Sequence, residues 1–127
     1  MKYENIMELV IGYIITLDIA ELADLKLSQI AAYFDLNRSY LSKRFNQEAP
    51  LTILKYIQLE KMKRGEMLLK TRYDLSVEAI ASLLGITDVR RFRKNFKAMF
   101  GLKPGTYRSF FKDGVPQRPI AASSKNT

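Results

Sequence analysis

The sequence predicts an all-α domain of seven helices, arranged as two matching helical hairpins joined by a long connecting helix. Three observations carry that prediction. Large apolar residues recur at steps of three and four along most of the chain, the period of a helix with one buried face. No stretch alternates apolar and polar residues as a half-buried strand would. Two segments, near residues 27–48 and 76–100, repeat one another's pattern.

Taken in order, residues 4–17 are the first helix, with Ile6, Leu9, Val10, Tyr13, Ile14 and Leu17 on its apolar side. Asp18 to Asp24 read as an acidic connection. Leu27 to Phe34 are a short helix, Asp35-Leu36-Asn37 a turn, and Arg38 to Glu48 a second helix with Leu41 and Phe45 four apart on its inner face. Ala49-Pro50-Leu51 stops it, because proline lacks an amide donor and restricts the residue before it. Thr52 to Lys70 is the longest periodic segment; Ile53, Ile57, Met62 and Leu68–Leu69 form its apolar face, interrupted by Gly65. After Thr71 to Leu75, Ser76 is placed to cap a short helix reaching Leu84, and Gly85 supplies a left-handed turn residue. Asp88 to Phe100 is the next helix, ended by Gly101. Pro104 suits the first turn of a last helix that runs to about Lys112. The expected boundaries are 1–51 for the first unit, 52–70 for the linker helix and 71–112 for the second unit. Residues 113–127, rich in proline and serine, are expected to be a mobile, disordered tail.

The composition narrows the function classes. The 127 residues suffice for one domain of ordinary size, and 47% hydrophobic with 27% charged residues is normal for a globular chain. Without cysteine or histidine there are no disulfides, no thiolate metal sites, and neither the commonest metal ligand nor the commonest general base. No glycine-rich phosphate loop and no suggestive cluster of carboxylates, lysines and hydroxyls is present either, so no catalytic residue, metal or cofactor is expected and an enzyme is the weakest reading. The apolar run Leu9 to Leu17 falls far short of the roughly 20 residues of a membrane span. No secretory signal is evident, so the expected location is the cytoplasm, at the nucleoid, with no membrane partner.

Charge is unevenly spread. Residues 1–36 carry two basic and six acidic side chains, whereas residues 37–112 carry seventeen basic and six acidic, within a net charge of +8. A basic surface of this kind attracts polyanions, nucleic acid among them.

The repeat gives that surface a shape. Ile30-Ala31 pairs with Ile80-Ala81, Phe34 with Leu84, Leu36 with Ile86 and Asn37 with Thr87; after one extra residue, Leu41 pairs with Phe92 and Phe45 with Phe96. Each copy is a short helix, a turn and a second helix with apolar anchors four apart. This is the homeodomain-like helix-turn-helix plan, in which the second helix offers its outer face to the major groove.

With Leu41 and Phe45 inward, the first recognition helix exposes Arg38, Ser39, Ser42 and Lys43, with Arg44 beside them. With Phe92 and Phe96 inward, the second exposes Val89, Arg90, Arg93 and Lys94, flanked by Arg91 and Lys97. The first eight of these, apart from Arg44, are the expected base readers. Arginine and lysine donate to guanine, serine pairs with several edges, and a valine methyl meets thymine. Arg91 and Lys97 are expected on phosphates, which position without specifying sequence. A basic helix face is often merely solvated, but residues 89–97 hold five basic residues and no acid, unlike an ordinary solvated helix. At about 1.5 Å per residue the connecting helix spans roughly 27 Å, near the ~34 Å between successive major-groove faces. One chain would then read two adjacent groove segments. Along that helix, Lys55, Lys61, Lys63, Arg64 and Lys70 are expected to be mostly solvated, with some on phosphates.

The stretch Ser76 to Arg108 closely resembles the signature of the AraC/XylS family of bacterial transcription regulators. The matching elements are Ile80-Ala81, Gly85, Phe92 with Phe96, Phe100-Gly101, Pro104 and Tyr107-Arg108; Tyr40-Leu41-Ser42, Phe45 and Leu68–Leu69 add to it in the first half. The resemblance covers about residues 5–112. It implies a seven-helix domain on double-stranded DNA, both recognition helices in successive major grooves, activation through contact with RNA polymerase, and helix N-termini and nearby side chains on phosphates. Lys26, Arg44, Ser76 and Arg108 join Arg91 and Lys97 in that phosphate set. It also implies a sensor or receiver domain elsewhere in a longer parent chain. The sequence departs from the pattern at Lys26, Asp35, Ala49-Pro50, Lys61 and Gly65. A different class of reading is a helix-turn-helix interaction module acting on RNA polymerase or a partner regulator without specific DNA binding. RNA binding fits the charge but lacks the aromatic sheet of single-strand readers.

Overall fold

The computed structural model describes residues 5–112. Among them are eight helices and no strand: α1 Ile6–Thr16, α2 Ile19–Ala23, α3 Leu27–Tyr33, α4 Arg38–Glu48, α5 Ile53–Thr71, α6 Val77–Leu83, α7 Val89–Phe100 and α8 Pro104–Lys112. The expected tail from residue 113 lies outside the described residues. No helix of the described residues is long and apolar enough to cross a membrane.

Seven helices correspond to the expected ones, and α2 is additional. It forms where the sequence suggested an acidic connection, because those acids are caps. Asp18 accepts from the Glu21 amide at 2.7 Å, and Glu21 accepts from the Asp18 amide at 2.9 Å. This reciprocal capping box satisfies two amides that the first turn would otherwise leave open.

Two compact units share α5. Among the described residues, those through Arg64 group with Leu83–Gly85, and Gly65–Ser82 group with residues 86–112. The first unit buries Ile6, Val10 and Ile14 of α1, spaced four apart, with Leu22, Ile30, Phe34, Leu41, Phe45, Ile53 and Ile57. In this core α4 packs against both α1 and α3. In the second unit Ile80, Phe92 and Phe96 are fully buried. There α7 packs on α8 through a row of rings joining Phe92, Phe96, Phe100, Tyr107 and Phe111.

The two hairpin turns are built alike. The Leu36 amide donates to Ala31 O at 2.8 Å, and the Ile86 amide donates to Ala81 O at 2.9 Å, the long bond of a Schellman helix end. Such an end needs a left-handed residue, supplied by Asp35 at φ 57° and by Gly85 at φ 76°. At Gly85 no other residue fits: a Cβ there would stand 2.4 Å from Ala23 O. The likeness also continues past α4 and α7. Phe45 meets Tyr56 edge-on with centroids 5.5 Å apart, and Phe96 meets Tyr107 edge-on at 5.3 Å. The second helix of each hairpin, α4 or α7, is thus braced on its inner side by a tyrosine from the helix that follows.

Candidate nucleic-acid interface

In α7 two buried rings dictate what is left outside. Phe92 and Phe96 have no solvent exposure, so the opposite side of the helix falls to Arg90, Lys94 and Lys97, themselves spaced i, i+4 and i+7. Asp88 starts the helix by accepting from the Arg90 and Arg91 amides at 3.0 and 3.4 Å. These amides, that of Arg91 foremost, hold the Asp88 carboxyl below its usual range. Gly101, at φ 87°, ends the helix. Arg90, Arg91, Lys94 and Lys97 are exposed; Val89 and Arg93 are half-buried on one flank. Arg90 lies 3.6 Å from Asp88 with its side chain 89% exposed, a pair too solvated to hold it. Arg93 differs, since its Nη2 donates to Glu78 Oε2 of α6 at 2.7 Å.

Helix α4 follows the same logic with other chemistry. Asn37 caps it by accepting from the Tyr40 amide at 2.8 Å, and Leu41 and Phe45 are fully buried. Arg38, Ser39 and Lys43 are exposed and Ser42 is half-buried. Sequence reasoning overlooked Asn46, which is exposed and continues the Ser39–Lys43 stripe one turn further. Its carboxamide is the group best suited to an adenine edge. The i, i+4, i+7 spacing was the signal for it.

Two residues expected on phosphate make internal contacts. Arg44 donates to Glu48 at 3.1 Å and to the Tyr40 hydroxyl at 3.3 Å, while Glu48 also accepts from the Met7 amide at the start of α1. It therefore serves the packing of α4 on α1. Arg108 donates Nε to Leu69 O at 3.1 Å, Nη1 to Leu75 O at 2.6 Å and Nη2 to Arg72 O at 2.9 Å. Its guanidinium closes the end of α5, where the last carbonyls have no helical partner. The expectation for Lys61 and Arg64 is corrected in the same way. Lys61 is 7% exposed and donates to Ala23 O at the end of α2; burial lowers its ammonium pKa, opposed by the charge of Asp24. Arg64 donates to Ile15 O at the end of α1. Three cations that looked available to a polyanion thus sit on helix C-termini, where the backbone itself presents negative charge.

Lys26 and Ser76 occupy corresponding N-cap positions. Ser76 Oγ accepts from the Ala79 amide at 3.0 Å. Lysine has no acceptor, so at Lys26 only the return half of a capping box forms, with Gln29 accepting from the Lys26 amide at 2.8 Å. The Lys26 side chain remains exposed.

Comparison with known proteins agrees with this construction. The family described as Helix-turn-helix domain matches residues 30–109, well over half of the chain. The Msm operon regulatory protein of Streptococcus mutans is 37% identical over 86 residues, covering 68% of this chain and 31% of that protein. The chain belongs to the AraC/XylS family. A further family relative, the Transcriptional activator NphR of a Rhodococcus species, is 36% identical over 86 residues, covering 68% of this chain and 25% of NphR. The chain spans less than a third of either regulator's length. Among solved structures, the DNA-binding domain of AdpA, determined in complex with a target DNA, aligns at a TM-score of 0.68 and 21% identity, covering 85% of this chain and 97% of that one. At that identity it is the fold that is shared. Within the AraC/XylS fold, the Tyr107-Arg108 pair of the signature has a physical reason: the tyrosine braces Phe96 and the arginine closes α5. Among the described residues no group of acidic residues is placed to hold a metal ion.

Proposed function

We propose that this chain is a sequence-specific double-stranded DNA-binding regulator that reads two successive major-groove segments with α4 and α7. The observation that carries this reading is the outward stripe Arg90, Lys94 and Lys97 on a helix whose opposite side is locked by Phe92 and Phe96. Base contacts fall to Arg38, Ser39, Ser42 and Lys43 on α4, and to Val89, Arg90, Arg93 and Lys94 on α7. Phosphate contacts fall to Lys26, Ser76, Arg91 and Lys97. The regulator activates transcription through RNA polymerase, in keeping with the naming of NphR as an activator, and it acts in the cytoplasm at the nucleoid. The length of its relatives supports a sensor or receiver domain as a further partner.

Selection of bound duplexes from a random pool, followed by titration across salt, tests this. The affinity for the recovered duplex is expected to fall with a log–log slope of about −0.9 per neutralised phosphate. Arg90→Ala is expected to relax preference at one position, costing about 1–3 kcal/mol there. A protein that recovers no preferred duplex, or whose duplex binding is insensitive to salt, would be an interaction module instead.

A further inference from the structure

Glu78 is a carboxylate paired with a cation of the basic helix α7, and the expected contacts to DNA leave it without a task. It lies in the first turn of α6, exposed, with its Oε2 accepting from Arg93 Nη2 at 2.7 Å. The side chains of the pair are 41% exposed at Arg93 and 62% at Glu78. An ion pair so open to water adds little to folding. The Arg93 hydrogen bond is also the main reason the Glu78 carboxyl titrates below its usual range. The corresponding residue of the first unit is Ser28, and the counterpart of Arg93 is Ser42, so this pairing exists in one hairpin only.

The geometry of the contact matters more than its strength. A guanidinium has five N–H donors in a planar fork, and a contact made through Nη2 leaves the others free. An arginine on a long flexible stem loses rotamer freedom when it must find a guanine edge; one already held by a neighbour on another helix loses less. A carboxylate at that spot also repels a phosphate oxygen seeking the same guanidinium, while a guanine edge, which carries no net charge, is not repelled.

Resting on the DNA-reading function above, we propose that Glu78 is a positioning residue for Arg93, holding its guanidinium for a base edge and denying it to the phosphate backbone. Glu78 then sets the ratio of specific to non-specific binding rather than the affinity alone. Removing its charge frees Arg93 to contact phosphate.

The test compares wild type, Glu78→Gln, Arg93→Ala and the double variant on two duplexes: the one recovered by selection and a scrambled duplex of equal length. Glu78→Gln is expected to lower the specificity ratio about tenfold and to steepen the salt slope on the scrambled duplex by about 0.9, one more neutralised phosphate. Its thermal midpoint should match wild type, which a merely structural role would not predict together with a changed slope. In the Arg93→Ala background the substitution should leave the ratio within about twofold. A ratio unchanged by Glu78→Gln in a protein that binds its selected duplex overturns the proposal and leaves the DNA-reading function standing. An equal loss with and without Arg93 overturns it too. Absence of any duplex preference in wild type overturns both.

Discussion

The two hairpins solve one problem with different residues. Both end their first helix in the same Schellman bond, bury two apolar anchors four apart and brace the second anchor with a tyrosine edge. Outside that shared frame they diverge. The first turn is Asp35 and the second Gly85; the first cap is Lys26 and the second Ser76. Helix α4 ends in an extended Ala49 before Pro50, α7 in a left-handed Gly101. One arginine of α4 is held by its own Glu48, whereas α7 carries five cations and no acid. The lesson is that the interior fixes the hairpin and the exterior is free to specialise. Cations crowd α7, and hydroxyl and amide groups dominate α4.

Exchanging the divergent parts breaks the comparison, most severely at the turns. Gly85→Ala places a methyl against Ala23 O at a positive φ and is expected to cost about 2–4 kcal/mol. Asp35→Gly, at the matching turn, should shift stability by no more than about 1 kcal/mol. Urea unfolding at unchanged m-value measures both, and similar costs at the two turns would refute the asymmetry.

Next comes the position after the bracing tyrosine, which is Ile57 in one unit and Arg108 in the other. Arg108→Ala removes three hydrogen bonds, taking this donor from Leu69 O and Leu75 O while Arg72 O keeps the Leu75 amide, and is expected to cost about 2–3 kcal/mol. Arg108→Lys should restore less than half of this, since a single ammonium nitrogen lacks the planar spread with which Nε, Nη1 and Nη2 reach three separate carbonyls. Ile57→Val, a lost methylene in a packed core, should cost only about 0.5–1.5 kcal/mol. Thermal unfolding ranks the three.

The caps sharpen the comparison at smaller amplitude. Ser76→Ala should cost about 1 kcal/mol and Lys26→Ser should gain up to about that much, making the units more alike. Calorimetry on both variants checks the opposite signs.

The smallest effect is silent at neutral pH. Burial, reinforced by its hydrogen bond to Glu66, pushes the Tyr107 hydroxyl well above the usual phenol range. A raised folded pKa means that this stabilisation is whole below the unfolded value of about 10 and is lost as pH climbs through it toward the folded one. Stability should therefore decline above about pH 10 less steeply in Tyr107→Phe than in wild type. Parallel declines would remove Tyr107 as the cause.

Much of this was legible in the sequence, for particular reasons. Phe92 and Phe96, like Leu41 and Phe45, announce a buried helix side by their spacing, and what they exclude is then fixed by 3.6 residues per turn. The left-handed residue at 85 followed from glycine itself. Helix α2 is legible too, since Asp18-x-x-Glu21 before Leu22 is a capping box, but clustered acids also carry loop character and mask it. The tasks of Arg108, Lys61 and Arg64 were not legible. Their acceptors are backbone carbonyls more than thirty residues away in sequence, and every residue type has such a carbonyl. Counting cations therefore overstates the surface available to DNA.

The fork of Arg108 also bears on how this chain can be handled. A chain severed ahead of it would lose the three hydrogen bonds that tie the last turn of α5 and the stretch to Leu75 onto α8. Fluorophores and fusion partners are better kept out of α8, since a graft that displaces that arginine unties the second unit at its knot.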